Sequence, residues 1–215
     1  MQTDVLIENL VGDLTPVRPP SRQRDLLALA GLLLVQGGLF ALLNGPRTDF
    51  AVAMATPAFW WKAASLASVA GLATTATILS LDPGQSAQSL SRLMQRLGVA
   101  AMAALALGWL IDALFFHPTP LLTRLDWREG LDCLVNITIL TLPLAVLFGV
   151  LVRRGASARP ELTSTLAGLA SAGLAALVFA LHCPHDDPLY VVIWYGGAIA
   201  AIAGLGRMLA RFARW

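Results

Sequence analysis

Hydrophobic positions fall in six long runs separated by short polar breaks: Leu26–Leu43, Trp61–Leu81, Leu97–Phe116, Leu131–Val152, Leu162–Leu181 and Leu189–Met208. Each is close to the roughly 20 residues that a helix needs to cross about 30 Å of hydrocarbon. None alternates with a period of two, and all are longer than the ~10 residues of a tilted barrel strand. In lipid the backbone amides find partners only within a helix or a closed barrel. The pattern therefore predicts an all-α fold, a polytopic membrane bundle of six transmembrane helices.

A different pattern precedes the first run. In MQTDVLIENLVGDLTPVRPP, Leu6, Leu10 and Leu14 recur at i, i+4 and i+8, with Ile7 and Val11 beside them, which makes one apolar helical face. Thr3 is placed to cap this helix, Asp4 and Glu8 suit its N-terminal dipole, and Pro16 with Pro19-Pro20 ends it. The expectation is a short amphipathic helix within residues 1–25, ahead of a membrane domain spanning 26–215. So short a helix is marginal in water and needs a surface to cover its apolar face. Membrane-surface helices usually carry basic polar faces, whereas this one carries Asp4, Glu8 and Asp13. That favours a groove on a protein partner; packing on lipid or on the rest of the chain is the alternative.

Composition agrees with the runs: 57% of residues are hydrophobic, 13% are charged, and mean hydropathy is +0.69. Soluble domains carry about 25% charged residues. The basic residues set an orientation. With the N-terminus inside, Arg18, Arg22, Arg24, Arg92, Arg96, Arg153, Arg154, Arg159, Arg207, Arg211 and Arg214 lie in the cytoplasm, leaving Arg47, Lys62, Arg124 and Arg128 outside. Both termini are then cytoplasmic. The long polar stretch before the first run is unlike a cleavable signal, so the first helix is expected to be retained. Loops this short cannot fold into a catalytic domain. Ala67/Gly71 and Gly196/Ala200/Gly204 are expected to let helices approach closely.

The candidate chemistry gathers on the outer side. Cys133 starts the fourth run, Cys183 follows the fifth, and His117, His182 and His185 share that side. Three readings of HCPHDDP (182–188) compete. Cys133 and Cys183 form a disulfide or redox-sensitive thiol pair, which an oxidising compartment would preserve. Alternatively they bind a soft or borderline metal such as Zn, with His185 or His182 as auxiliary ligands; Cys183 and His185 share a side in extended chain, while His182 points elsewhere. In the third reading the segment is only a turn, with Pro184 ending one helix and Asp187-Pro188 starting the next. Asp112 is the clearest acid within a run, either functional or hydrated near the interface. Trp60, Trp61, Trp127 and Tyr190 read as interface anchors. Asn136, Thr138 and Pro143 read as shaping the fourth helix.

Five stretches together resemble the NrsF-type anti-sigma factors, bacterial inner-membrane proteins with six helices that restrain an extracytoplasmic-function (ECF) sigma factor. They are TDVLIENLVGDLTPVRP, FWWKA, DPG, WREGLDCLVNITILTLP and LHCPHDDPLYVVIWYG, and they extend over nearly the whole chain. The resemblance implies that the N-terminal segment contacts the sigma factor through Leu6, Ile7, Leu10, Val11 and Leu14. It also implies that Cys133 and Cys183 are periplasmic sensors of oxidants or heavy metals. It implies no catalysis, no resident cofactor and no direct nucleic-acid contact. After Cys-Pro the family often has an acidic residue, where this chain has His185. The competing class is a small membrane transporter or membrane thiol oxidoreductase. The latter would be expected to carry a Cys-x-x-Cys pair, and this chain has none.

Overall fold

The computed structural model describes residues 21–45, 47–82, 84, 86–116, 120–155 and 157–212. Leu6, Ile7, Leu10, Val11, Leu14 and His117 lie outside the described residues. Six long helices form: α1 (Arg22–Asn44), α2 (Pro57–Ser80), α3 (Ala87–Phe115), α4 (Trp127–Arg154), α5 (Pro160–Ala180) and α6, which is α-helical over Pro188–Tyr190, π-helical over Val191–Tyr195 and α-helical again over Gly196–Phe212. All six are long and apolar enough to cross a membrane. Single helical turns at Phe50–Ala53 and Leu121–Arg124 lie in the connections before α2 and α4.

The starts are set by caps. Ser21, Thr56, Ser86, Asp126 and Asp187 each accept a hydrogen bond from a first-turn amide of α1, α2, α3, α4 and α6 respectively. Pro57, Pro160 and Pro188 occupy first-turn positions, where their missing N–H costs nothing. Two of these starts extend helices beyond the apolar runs. Thr56-Pro57 begins α2 four residues before Trp61, and Ser86 begins α3 about three turns before Leu97.

Helix α5 is the centre of the bundle, packed against α2, α4 and α6, and buried almost all round by alanine, glycine and serine. Small residues let backbones meet. A Cβ on Gly173 would come within 3.2 Å of Ala70 Cα in α2, and one on Gly206 within 2.7 Å of the Ser164 carbonyl oxygen. The stripes Ala67/Gly71 and Gly196/Ala200/Gly204, expected at interfaces, instead face outward. The packing faces are Ala70, Gly168, Gly173, Ala203 and Gly206. The helices are so rich in small residues that composition could not choose between neighbouring stripes.

Helices α1 and α3 are peripheral and leave most of their apolar surface uncovered, as lipid-facing helices do. Helix α1 touches the bundle at few polar points. At the end where most arginines gather, Arg22 pairs with Asp82 at 2.6 Å. Midway, the Gln36 amide donates to the Leu140 carbonyl of α4, one turn before Pro143. At the opposite end, His182 Nδ1 donates to the Gly45 carbonyl at 2.9 Å, and its ring lies edge-on to Phe40. Asn136 and Thr138 bond back to carbonyls four residues earlier, in keeping with a role in shaping α4.

Candidate functional site

The 182–188 segment is built on buried cations. Helix α5 ends at Ala180, three residues before Cys183 and earlier than Pro184, where the sequence placed its end. The chain crosses to Asp187 without secondary structure, so its carbonyls need donors. Lys62, fully enclosed in the first turns of α2, supplies them: Nζ donates to the carbonyls of Cys183 (3.0 Å) and His185 (3.1 Å) and pairs with Asp186 at 2.5 Å. Arg47 donates to the Cys183 and Pro184 carbonyls and pairs with both Asp186 and Asp49. Two cations thus face two carboxylates, the matching that buried charge requires. The Asp49 carboxylate raises the Arg47 pKa, and Arg47 in turn holds the Asp49 carboxyl at about 2.

The thiols meet above this base. Cys133 and Cys183 are both free and both buried, with Sγ atoms 3.6 Å apart. Tyr190 Oη lies 3.1 Å from Cys133 Sγ. His185 stacks on the Tyr190 ring at 4.6 Å between centroids, sets Nδ1 3.9 Å from Cys183 Sγ and donates from Nε2 to Glu129 at 2.6 Å. Contact with the Cys133 thiol lowers the Cys183 pKa, with His185 and Lys62 adding to the effect and burial opposing it. The imidazole of His185 is raised above its ordinary value, first by Cys183 and then by Glu129. A cavity of about 240 Å³ opens beside both sulfurs, lined among others by Asn44, Glu129, Asp132, Asn136 and His182.

The π-helical turn puts both tyrosines of α6 at this site. On an α-helix of 3.6 residues per turn, positions five apart point about 140° away from each other. The wider turn, closed over five residues, brings them onto one side. Tyr190 and Tyr195 are both fully buried, and the Lys62 ammonium lies 5.8 Å from the Tyr195 ring centre.

A second ionic group stands beside it. Arg124 pairs with Asp187 at 2.7 Å and with Asp112, tying the end of α3 to the cap of α6. These carboxylates, Asp187 first, push the Arg124 pKa up. Asp112, expected to be either functional or hydrated near the interface, is the ion-pair partner of Arg124 and keeps part of its surface accessible. Two expected interface anchors are also corrected. Trp61 is buried and donates to the Ala104 carbonyl, and Tyr190 is buried against the thiol. Trp60 and Trp127 remain exposed.

The structure thus brings Cys133, Cys183 and His185 together, while His182 lines the same cavity and bonds to the Gly45 carbonyl just past the end of α1. Among the described residues no group of three or more His, Cys, Asp or Glu is arranged to hold a metal ion. Sequence reasoning counted Arg47, Lys62 and Arg124 only as topology signals and gave Glu129, Asp186 and Tyr195 no role. One signal was present: a lysine within the FWWKA start of a membrane helix is costly unless partnered. Gly130 is the close-approach point of α4 and α6, where a Cβ would lie 2.0 Å from the Trp194 ring. Gly130→Ala gains up to about 1 kcal/mol of helix propensity but costs about 1–3 kcal/mol in overpacking. We expect a net loss of stability, together with slower oxidative cross-linking of the thiols on non-reducing gels.

The anti-sigma-F factor NrsF of Caulobacter vibrioides is 31% identical over 227 residues, and the alignment covers all of both chains. A probable anti-sigma-F factor NrsF of Azospira oryzae is 29% identical over 221 residues, again at full coverage of both. No solved structure matches the chain. The family described as negative regulator of sigma F matches residues 10–215, and the chain belongs to that family, NrsF.

Proposed function

We propose that this protein is a bacterial inner-membrane anti-sigma factor. It holds an ECF sigma factor through residues 1–25 in the cytoplasm and frees it when the periplasmic pair Cys133 and Cys183 is modified by thiol oxidants or by a soft heavy metal. The role is regulatory and non-catalytic. What carries the reading, beyond membership of the family, is the route from the thiols to α1. His182, next to Cys183, holds the outer end of α1 through Gly45 and Phe40. The inner end of α1 continues directly into the N-terminal segment. A change in the thiol pair therefore reaches a helix that few other contacts restrain. The orientation rests on the basic residues, with both termini inside and the thiols outside. The apolar anchors are Leu6, Ile7, Leu10, Val11 and Leu14.

An outer event acts only through its differential stabilisation of two bundle states. Shifting from mostly bound to mostly free takes about 5 kcal/mol. A covalent or metal link between the two sulfurs supplies energy on that scale; one hydrogen bond does not. The test is a pull-down from membranes with residues 1–25 intact or deleted. We expect a sigma factor to co-purify with the intact chain and to be lost on deletion, and Cys133→Ser/Cys183→Ser to retain it under thiol oxidants and metals. No sigma factor in either pull-down would refute the reading, and induction that survives loss of both cysteines would refute the sensing half.

A further inference from the structure

The two thiols are not equivalent. Cys133 lies within α4, where among the described residues Tyr190 Oη and the other thiol are within hydrogen-bonding reach of its sulfur. Cys183 lies in open backbone at the end of α5, where its sulfur faces the His185 imidazole. That imidazole is oriented from its far side by Glu129, leaving Nδ1 for the sulfur. A thiol, a base within reach and a carboxylate that orients the base make up the arrangement of an activated sulfur nucleophile. Enclosed Lys62 adds positive charge on the Cys183 carbonyl, and thiolate, not thiol, is the reactive form.

Access defines the reagent. Both sulfurs are buried beside a cavity of about 240 Å³, so a small oxidant meets less obstruction there than a peptide-sized disulfide. The carboxylates of Glu129 and Asp132 share its lining, so an anionic oxidant meets like charge.

Resting on the reading of the pair as a sensor, we infer that Cys183 is the nucleophile that reacts first, with a small uncharged hydroperoxide. Cys133 is the resolving thiol, and His185 and Glu129 activate Cys183. The Cys183 thiolate attacks one peroxide oxygen and the O–O bond breaks. The departing alkoxide or hydroxide takes the proton held by His185, leaving Cys183 as sulfenic acid and releasing an alcohol or water. Cys133 then attacks Cys183 Sγ, and the S–O bond breaks. Hydroxide leaves with the Cys133 proton as water, and the Cys133–Cys183 disulfide remains. Two thiols are oxidised by two electrons, and one peroxide is reduced. Glu129 is a positioning residue, acting through His185.

The experiment uses the full chain in detergent micelles, with hydrogen peroxide as probe and a sulfenate-trapping dione read by mass spectrometry. We expect the adduct on Cys183 in Cys133→Ser, and roughly tenfold less or none on Cys133 in Cys183→Ser. Oxidised glutathione should modify Cys183 more slowly than hydrogen peroxide does. In Cys133→Ser/Glu129→Gln the amide keeps an acceptor for His185 but loses the charge that favours imidazolium. The pH midpoint for alkylation of Cys183 by iodoacetamide should then rise, with resistance to SDS unfolding unchanged. The groups around this sulfur are Lys62 from α2, Cys133 from α4, Tyr190 and Tyr195 from α6, and His185, with Arg47 at the Cys183 carbonyl, Glu129 on the far side of His185 and Asp132 in the cavity lining. Equal or reversed trapping, no trapping at either cysteine, faster reaction with oxidised glutathione, or an unmoved midpoint would each overturn the assignment. Correct order of reaction without release of a sigma factor would instead sink the sensor reading and leave the chemistry standing.

Discussion

Lys62→Met is expected to destabilise the protein by about 3 kcal/mol, the lower end of the cost of removing one partner from a buried ion pair. The lower end applies because Arg47 still pairs with Asp186. Methionine fills much of the space but donates no hydrogen bond, so the Cys183 and His185 carbonyls lose their shared donor along with the carboxylate. Detergent-solubilised protein titrated with SDS reads the loss as a lower unfolding midpoint. Adding Asp186→Asn to Lys62→Met should recover part of it, because the carboxylate that has lost one of its two cations is neutralised while Arg47 keeps Asp49. A loss below about 1 kcal/mol, the size of an ordinary hydrogen bond, would show that Lys62 is not what holds the loop. The consequence extends to the thiols, since the carbonyl that Lys62 grips belongs to Cys183 itself.

Arg124→Met is the second large effect, about 2–3 kcal/mol after discounting for the partial exposure of its partners. The Asp112 and Asp187 side chains keep 25% and 14% of their surface accessible, so water takes up part of the charge that the guanidinium leaves. Asp187 continues to cap α6 through the Leu189 and Tyr190 amides. The loss therefore falls mainly on the tie between α3 and the start of α6. A cycle of Arg124→Met and Asp112→Asn, each alone and combined, measures the coupling. We expect the pair to be non-additive by at least about 0.5 kcal/mol, and strict additivity would mean that the contact carries no energy.

The helices were legible because hydrophobic run length is a direct physical requirement of a bilayer. Of the polar caps, Asp187-Pro188 was legible, whereas Ser21, Thr56, Ser86 and Asp126 lie outside the apolar runs and were not anticipated. The meeting of Cys133 with Cys183 was one of three readings open from the sequence, and the 3.6 Å contact that favours it comes from the packing of α4 against α5. Lys62, Arg47 and Asp186 escaped because a charge count treats each as a point on one side of a membrane. Their pairing spans well over a hundred residues of chain. Glu129 escaped for the opposite reason: an acid in the first turn of a helix is already explained by the helix dipole. Its second bond, to His185, is visible only in three dimensions.

The five-residue turn in α6 offsets the angular register of the two stretches of α-helix on either side of it. In an unbroken α-helix, fixing Tyr190 would fix the direction of Gly206, because every residue advances by the same angle. Here the thiol end takes its angle from the Asp187 cap and the tyrosines, while the far end takes its own from the backbones of Gly168 and Ser164. Mechanically, α6 is a shaft with a coupling set into it. It keeps one axis while giving each half the angular register that its own contacts require.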